Sequence, residues 1–238
     1  MLNFYDTPFS YNDSYYISRN VPWLLRSFFG WASPKKGIWQ YDVINIRDSG
    51  VTKHHNVDSK PYGGGEGLVM RADVLGRALD KAIEQRPNAE IYYFSPRGRV
   101  LNQRLVEEVV SKKDIIILCG RFEGIDERII DEYNIREISI GDFVLSGGEV
   151  AAQVLLDTCI RLLSGVLSND ATLLEESFSS KYGDGKLLEY PLYTRPEEWR
   201  GRKVPDILLS GDHAKIEKWK KSTAEEITKK RRPDLIKK

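Results

Sequence analysis

Two glycine-bearing turns carry the residues of this chain whose types and spacing best suit chemistry. They read G-R-F-E-G at 120–124 and S-I-G-D-F-V-L-S-G-G-E at 139–149. The first follows the β-branched run Ile115–Leu118, which predicts a buried strand, and the second overlaps another apolar run. Glycine has no Cβ and tolerates positive φ, so the main chain at such turns can approach a ligand closely. The turns therefore predict a small-molecule pocket built largely of main-chain groups.

A third glycine cluster, K-P-Y-G-G-G-E-G at 60–67, contains G-x-G-x-G but is not a dinucleotide fingerprint. That fingerprint must follow a strand directly. Here Pro61 precedes the glycines, and proline removes a main-chain donor and disfavours a central strand. The glycines instead favour the close approach of another chain or of a flipped base. Since the sequence also lacks a G-x-x-x-x-G-K-[ST] loop, a nucleotide-dependent enzyme is disfavoured.

The elements that must position these turns alternate between strand and helix. A capping box of Ser146 and Glu149 predicts the start of a helix that ends near Gly165. The other predicted strands are 41–46, 91–94 and 114–118, and the other predicted helices are 72–86, 101–111 and 124–132. Such alternation predicts an α/β fold in which helices cover the faces of a parallel sheet.

Residues 166–186 are serine-rich and have no sustained hydrophobic period, which is typical of a linker or a mobile functional loop. Beyond them, helices are expected at 206–221 and 223–231, with Pro233 closing the second. We therefore expect an α/β domain at 1–163, a flexible linker at 164–186 and a small helical domain at 187–238.

Bulk composition is that of an ordinary globular protein, with 41% hydrophobic residues, 30% charged residues and a formal net charge of +1. From Lys215 onward, however, ten Lys or Arg face four Asp or Glu, which suits either an RNA contact or a solvated helix face. Cys119 and Cys159 form no metal or redox motif and are expected in the core. No apolar run approaches a membrane span and no signal peptide is evident, so no membrane contact and a cytoplasmic location are expected.

Residues 119–151 resemble the cofactor-binding knot of the bacterial tRNA (guanine-37-N1) methyltransferases, in the SPOUT class of S-adenosylmethionine enzymes. Four further segments agree in order and approximate spacing, namely 60–67, 93–98, 190–196 and 204–219. The similarity runs from about Gly30 to the C-terminus. It implies a parallel sheet with a C-terminal trefoil knot, followed by a small all-helical domain, whereas sequence pattern alone would suggest an open sheet.

The resemblance also implies a cofactor site. Main-chain groups of three loops would hold S-adenosylmethionine in a bent conformation. The residues that match these loops are Phe94, Ser95, Pro96, Gly120, Phe122, Glu123, Ile140, Gly141, Asp142, Phe143, Val144 and Leu145. The alternative is that the three segments are merely tight turns of an α/β domain.

Methylation of guanine at N1 needs a base near N1 and a cation near O6, where negative charge develops. Arg161 matches the family's catalytic arginine, although by itself it would be an ordinary helical pair with Asp157. The family carries E-D-S-F with aspartate as the base, whereas this chain reads E-E-S-F, so the base falls on Glu176. Glu175 is the alternative base if the register is shifted by one, and a solvated acid is the alternative role for Glu176.

The family implies an obligate homodimer with two composite sites, in which the linker of one subunit covers the cofactor site of the other. The partner is tRNA, contacted at the anticodon stem-loop. Aromatic residues and Arg at 190–199 suit base stacking as well as they suit a core. The expected phosphate contacts are Lys215, Lys218, Lys229, Lys230, Arg231 and Arg232. A magnesium requirement is attributed to the family, but no acidic cluster predicts its site; the available acids are Asp48, Asp58, Glu123 and Asp126.

The chain departs from the family in residues 1–29, which lack the expected apolar strand, and at Ser59, Glu66 and Phe122. Two other functions stay open. One is a knotted methyltransferase with a different RNA target. The other is an RNA-binding protein that has lost catalysis, which the changed base and the altered N-terminus would fit.

Overall fold

The computed structural model describes residues 38–51, 53, 55–167, 169–182 and 185–236. The chain divides between Leu167 and Ser168 into two compact units. The predicted boundaries at 163 and 186 stay predictions, and the atypical residues 1–29 lie outside the described residues.

The first unit alternates strands and helices. A 3₁₀-helix at Ile46–Ser49 precedes the strands β1 (Asp58–Ser59) and β2 (Val69–Met70) and the helix α1 (Ala72–Gln85). The elements that follow are β3 (Glu90–Val100), α2 (Gln103–Val110), β4 (Ile115–Leu118), α3 (Glu127–Glu132), β5 (Arg136–Ser139) and α4 (Glu149–Ile160). β1 and β2 pair antiparallel, and β3, β4 and β5 form a parallel sheet in the order β4-β3-β5.

Side chains on the two faces of β3 enter two different cores, because successive residues of a strand point to opposite faces. Ile91 and Tyr93 pack in a cluster with Leu75 of α1. Tyr92 packs on the other face in a cluster with Val106 of α2 and Leu155 of α4. Burying side chains such as Leu155 contributes about 1.5–3 kcal/mol each. The mixed α/β architecture with a parallel sheet is therefore confirmed.

The prediction of a strand at 41–46 is wrong. Residues 38–45 form no helix or strand, and Ile46 begins the 3₁₀-helix. Apolar side chains of this irregular segment pack without belonging to a strand: Trp39 is buried and stacks on Tyr41 with ring centroids 6.2 Å apart. The alternating pattern reflects this packing of irregular chain and not pairing with a neighbouring strand.

The second unit has 3₁₀-helices at Asp170–Leu174, Ser180–Tyr182 and Pro233–Leu235, and two α-helices, α5 (Asp206–Leu209) and α6 (His213–Arg231). The helices predicted at 206–221 and 223–231 are divided differently. The break falls at Gly211, whose φ is +70°, and Asp212 then caps α6 by accepting a hydrogen bond from the Lys215 N–H. α6 runs unbroken through the predicted interruption at Ser222.

A two-residue antiparallel pair, β6 (Glu198–Trp199) with β7 (Arg202–Lys203), also belongs to this unit. The sequence predicted helices alone here. None of the helices among the described residues is long and apolar enough to cross a membrane.

Candidate functional site

A cavity of about 220 Å³ lies where the carboxyl ends of β4 and β5 meet the middle of β3. Three chain segments form its wall, and they are the three loops that the sequence singled out. The predicted cofactor-binding residues that line it are Phe94, Ser95, Pro96, Gly120, Phe122, Glu123, Ile140, Gly141, Phe143, Val144 and Leu145. Asp142 is exposed and is not among the lining residues. All the predicted cofactor-binding residues except Asp142 therefore line one cavity.

The first segment is a bulge within β3. Phe94 and Arg99 both lie opposite Ile138 of β5, so the residues between them leave the ladder. Gly98 lies so close to the backbone of Glu137 and Ile138 that a Cβ there would overlap it. Within the bulge, the buried Ser95 accepts a hydrogen bond from the Arg97 N–H through its Oγ at 3.1 Å. The bulge of β3 beside β5 thus places Phe94, Ser95 and Pro96 in the cavity wall.

The second segment follows β4. A Cβ at Gly120 would lie 2.7 Å from Cε2 of the buried Tyr93, so the turn fits only a glycine there. Phe122 has a φ of +58°, an unusual conformation for a residue with a side chain. The Glu123 N–H donates to the Leu68 carbonyl at 3.0 Å, and a Cβ at Gly67 would overlap the Glu123 side chain. This turn is held by its neighbours in a strained conformation.

The third segment follows β5. Gly141 has a φ of +145°, and the Ser139 Oγ accepts a hydrogen bond from its N–H at 3.3 Å. Val144 is 86% exposed, and Phe143 is 54% exposed. Within the described part of the chain, the main-chain N–H groups of Val144 and Leu145 donate to no other main-chain group. The segment therefore presents apolar side chains and available main-chain donors at the cavity.

An ion pair between Arg121 and Glu149 links the second and third segments, and it was not predicted from the sequence. Arg121 lines the cavity, and its Nε donates to Oε1 of the buried Glu149 at 2.9 Å. The Gly148 N–H also donates to the Gly120 carbonyl at 2.9 Å. The predicted capping box is wrong for the same reason: Gly148 is the N-cap of α4, and Glu149 pairs with Arg121 across the two segments.

The two cysteines are core residues and not nucleophiles. Burial raises the pKa of the Cys119 thiol to about 12, with a further contribution from the charge of Glu149. Burial likewise raises the pKa of the Cys159 thiol to about 12. Because the thiolate is the reactive form, neither side chain suits covalent catalysis at neutral pH.

Arg161 lies at the C-terminal end of α4, where its N–H donates to the Asp157 carbonyl at 3.2 Å. Its side chain is partly buried. Arg161 is not among the residues that line the cavity.

Glu176 lies in the second unit, after the 3₁₀-helix Asp170–Leu174, and is partly buried. Its neighbour Glu175 is engaged by three donors. Lys181 Nζ lies 2.7 Å from Oε1, and the Tyr190 hydroxyl and Lys220 Nζ donate to Oε2 at 2.7 and 2.9 Å. These hydrogen bonds, the one from Lys181 first, lower the pKa of the Glu175 carboxyl to about 2. A carboxylate held so firmly in its ionised form is a weak base, which disfavours Glu175 for proton transfer.

Among the described residues, no three or more His, Cys, Asp or Glu side chains come together in a group that could hold a metal ion. The acids named from the sequence, Asp48, Asp58, Glu123 and Asp126, are therefore not gathered into such a group.

Comparison with known proteins relates this chain to one family. The family profile described as "tRNA (Guanine-1)-methyltransferase TrmD" matches residues 21–238. The match begins before Gly30, the start of the resemblance described above, and it extends to the C-terminus. It includes all the predicted cofactor-binding residues as well as Arg161 and Glu176.

Individual relatives agree over most of their length. A protein of Rickettsia akari (strain Hartford) is 58% identical over 206 residues, which cover 85% of this chain and 87% of the relative. One of Rickettsia prowazekii (strain Madrid E) is 56% identical over 84% of this chain and 86% of its own. One of Wolbachia pipientis wMel is 54% identical over 85% of this chain and 84% of its own. Each of the three is named tRNA (guanine-N(1)-)-methyltransferase.

Proposed function

Because the chain belongs to the tRNA (guanine-1)-methyltransferase family, we propose that it transfers a methyl group from S-adenosylmethionine to N1 of guanine 37 in tRNA. The observation that carries this proposal is that the three loops line one and the same cavity. The loops lie in separate parts of the sequence, each next to a different strand of the sheet. Their convergence is what one bound cofactor requires.

The cavity wall suits S-adenosylmethionine in both shape and donor set. Phe94, Ile138 and Leu145 provide apolar surface for a planar base. The main-chain N–H groups of Val144 and Leu145 provide donors for its edge. When bound, S-adenosylmethionine supplies an electrophilic methyl group on a positively charged sulfur. The Arg121–Glu149 pair keeps the two loops at a fixed separation around it.

Two side chains of this protein would act on the guanine. The Glu176 carboxylate would accept the N1 proton, and the electron pair left on N1 would form the bond to the methyl group as the methyl–sulfur bond breaks, its electrons leaving with the sulfur as a neutral thioether. Arg161 stabilises the negative charge that develops on O6 as the proton leaves. A positioned general base contributes about 10²–10⁴-fold to the rate. The longer side chain of Glu176, compared with the family's aspartate, requires a slightly different path of the loop that carries it.

The proposal includes the trefoil knot of the SPOUT class. Family membership supports this part of the proposal. The proposal also includes the helical domain at 187–238 as the part that binds tRNA.

We include a homodimer with composite sites in the proposal. Val150 and Val154 lie one turn apart on α4 and are 53% and 40% exposed. Together with Phe143 and Val144 they are apolar residues at and beside the cavity that the described residues of the unit leave uncovered. A second copy of the chain would cover them, and its linker would bring Glu176 to the guanine.

The second unit supplies the groups that would contact the anticodon stem-loop. Tyr190 is buried, but Tyr193 and Trp199 are 48% and 58% exposed, and the Arg200 guanidinium lies 4.8 Å from the centre of the Trp199 ring. Exposed aromatic rings with Arg suit unpaired bases. The predicted phosphate contacts are exposed as well: Lys215, Lys218, Lys229, Lys230, Arg231 and Arg232.

Two further parts of the proposal depend on the family alone. A cytoplasmic location follows from a tRNA substrate. The magnesium attributed to the family finds no matching cluster among the described residues, and no step of the mechanism uses it.

Methyl transfer from labelled S-adenosylmethionine to two tRNA transcripts tests the proposal. The transcripts differ only in carrying guanine or adenine at position 37. We expect label in the guanine transcript alone, recovered as 1-methylguanine. Equal labelling of both would indicate another target, and cofactor binding without transfer would indicate an RNA-binding protein that has lost catalysis.

A further inference from the structure

The Glu175 carboxylate lies at the centre of a polar network in the second unit. We call Glu175, Lys181, Tyr190, Lys220 and Glu217 the Glu175 network. Glu175 accepts hydrogen bonds from the two lysines and the tyrosine at 2.7 to 2.9 Å. Lys181 and Lys220 also lie 3.3 and 3.9 Å from the Glu217 carboxylate. Two positive and two negative charges are thus matched around one tyrosine.

Tyr190 fixes this network to the core of the unit. Its ring is buried and meets Trp219 edge-on with centroids 6.3 Å apart. Lys220 Nζ lies 4.8 Å from the centre of the same ring. Glu175 is therefore attached to α6, which carries Trp219 and Lys220, and to the buried Tyr190. It has little freedom to move.

Hydrogen bonds also fix the chain on the other side of Glu176. The Ser177 Oγ accepts from the Glu189 N–H at 2.8 Å, and the Phe178 N–H donates to the Leu187 carbonyl at 2.8 Å. Phe178 has a φ of +68°, a conformation that such contacts must maintain. Glu176 is thus held between two anchored residues.

The geometry points to Glu175 as the positioning residue for Glu176. Glu175 does not touch the guanine or exchange a proton with it. Its carboxylate holds the backbone of the next residue, so that the Glu176 carboxylate meets N1 in one orientation. A catalytic group must be held to within a fraction of an ångström, and small displacements cost large factors in rate. This inference rests on the proposed function, because it gives Glu176 the role of the base.

The test combines single variants with a double-mutant cycle in the full chain. Glu175→Gln keeps the size of the side chain and removes its charge. Glu226→Gln is the matched control, since Glu226 is an exposed glutamate of α6 outside the network. We expect Glu175→Gln to lower kcat by about tenfold or more, while KM for tRNA and for S-adenosylmethionine changes by less than about threefold. The control should match the wild type.

The decisive comparison is made in the Glu176→Ala background, where the base is absent. A positioning residue has nothing left to position there, so Glu175→Gln should cause no further loss of rate. A residue with a general structural role would lower the rate in both backgrounds, and that result would overturn the inference. Tyr190→Phe provides a milder second variant, because it removes one donor and keeps the ring. We expect it to lower kcat by less than Glu175→Gln, and again to have no effect without Glu176.

The outcomes separate this inference from the function on which it rests. A wild-type chain without methyl transfer, or a Glu176→Ala variant as fast as the wild type, would overturn the assigned reaction or base, and the positioning role with it. An active wild type, a slow Glu176→Ala and a fully active Glu175→Gln would overturn the positioning role alone.

Discussion

The cavity of the first unit and the Glu175 network of the second are maintained by different interactions. The cavity depends on main-chain turns that tolerate no side chain, as at Gly98 and Gly120. The network depends on charged side chains that meet at 2.7 to 2.9 Å around Glu175. Main-chain turns of fixed shape suit the binding of a cofactor. Charged side chains suit the positioning of a residue that accepts a proton from the substrate. Mutations in the two regions should therefore have different consequences.

The largest effect should follow removal of the proposed base. Glu176→Ala should lower the single-turnover rate of methyl transfer by about 10²–10⁴-fold, because a general base contributes that much. Binding of S-adenosylmethionine, measured by calorimetry, should not change. If the variant instead lost cofactor binding and kept its rate at saturation, the division between the two regions would be wrong.

The next effect concerns the apolar face beside the cavity. Val154→Glu should prevent the proposed dimer from forming, because it places a charge in the proposed interface, and activity should fall by more than about tenfold. Sedimentation velocity and the transfer assay measure the two changes. Val51→Glu is the control, since Val51 is 57% exposed and lies outside α4. A Val154→Glu chain that is active as a monomer would exclude composite sites.

A smaller effect should follow a change in the cavity wall. Gly120→Ala would bring a Cβ within 2.7 Å of the Tyr93 ring and displace the turn. Overpacking of about 1–3 kcal/mol corresponds to a cofactor Kd weakened by roughly 5- to 150-fold. In Gly201→Ala the new Cβ would have no atom within 4 Å, so its Kd should equal that of the wild type. Equal affinity of the two variants would show that the turn at Gly120 does not form the cofactor site.

The sequence predicted the cavity better than it predicted the network. Glycines at the ends of apolar runs indicated two of the three loops, because the carboxyl ends of parallel strands share an edge, and the family resemblance supplied the third. The pairing of Arg121 with Glu149 could not be predicted, since it depends on how two loops pack. Glu149 matched a capping box by spacing, yet Arg121 lies within 2.9 Å of it and provides a stronger partner.

The contacts of the Glu175 network could not be predicted from the sequence either, because they join residues that are distant in the chain. Lys220 and Glu175 are 45 residues apart, and no local pattern relates them. The sequence placed the base at Glu176 and left Glu175 as the alternative for a shifted register, and it could not predict the contacts that hold the Glu175 carboxylate. The predicted strand at 41–46 was wrong for a related reason, because alternation reports burial and does not reveal whether a partner strand exists.

The smallest expected effect is a pH dependence of stability. The folded pKa of Glu175, about 2, is below the unfolded value. The stabilisation by its carboxylate is thus fully present above the unfolded pKa, about 4.3, and is lost as pH falls towards 2. The free energy of urea unfolding should differ between the wild type and Glu175→Gln by no more than about 1 kcal/mol, since the group is partly exposed.

That difference should be constant from about pH 8 to pH 5 and should decrease below about pH 4. Glu226→Gln should show no such decrease. A difference between wild type and Glu175→Gln that changed between pH 6 and pH 8 would mean that another group controls the network.

Complementation between two inactive variants tests the central claim most directly, that the cavity of one chain works with the base of another. Glu176→Ala and Gly120→Ala chains are mixed, dissociated and reassociated, at a cofactor concentration where each alone is inactive. In a mixed dimer one composite site carries both changes and the other carries neither. Random reassociation should therefore restore about a quarter of the wild-type activity. A mixture as inactive as its components would show that the cavity and Glu176 act within a single chain, which would contradict the account.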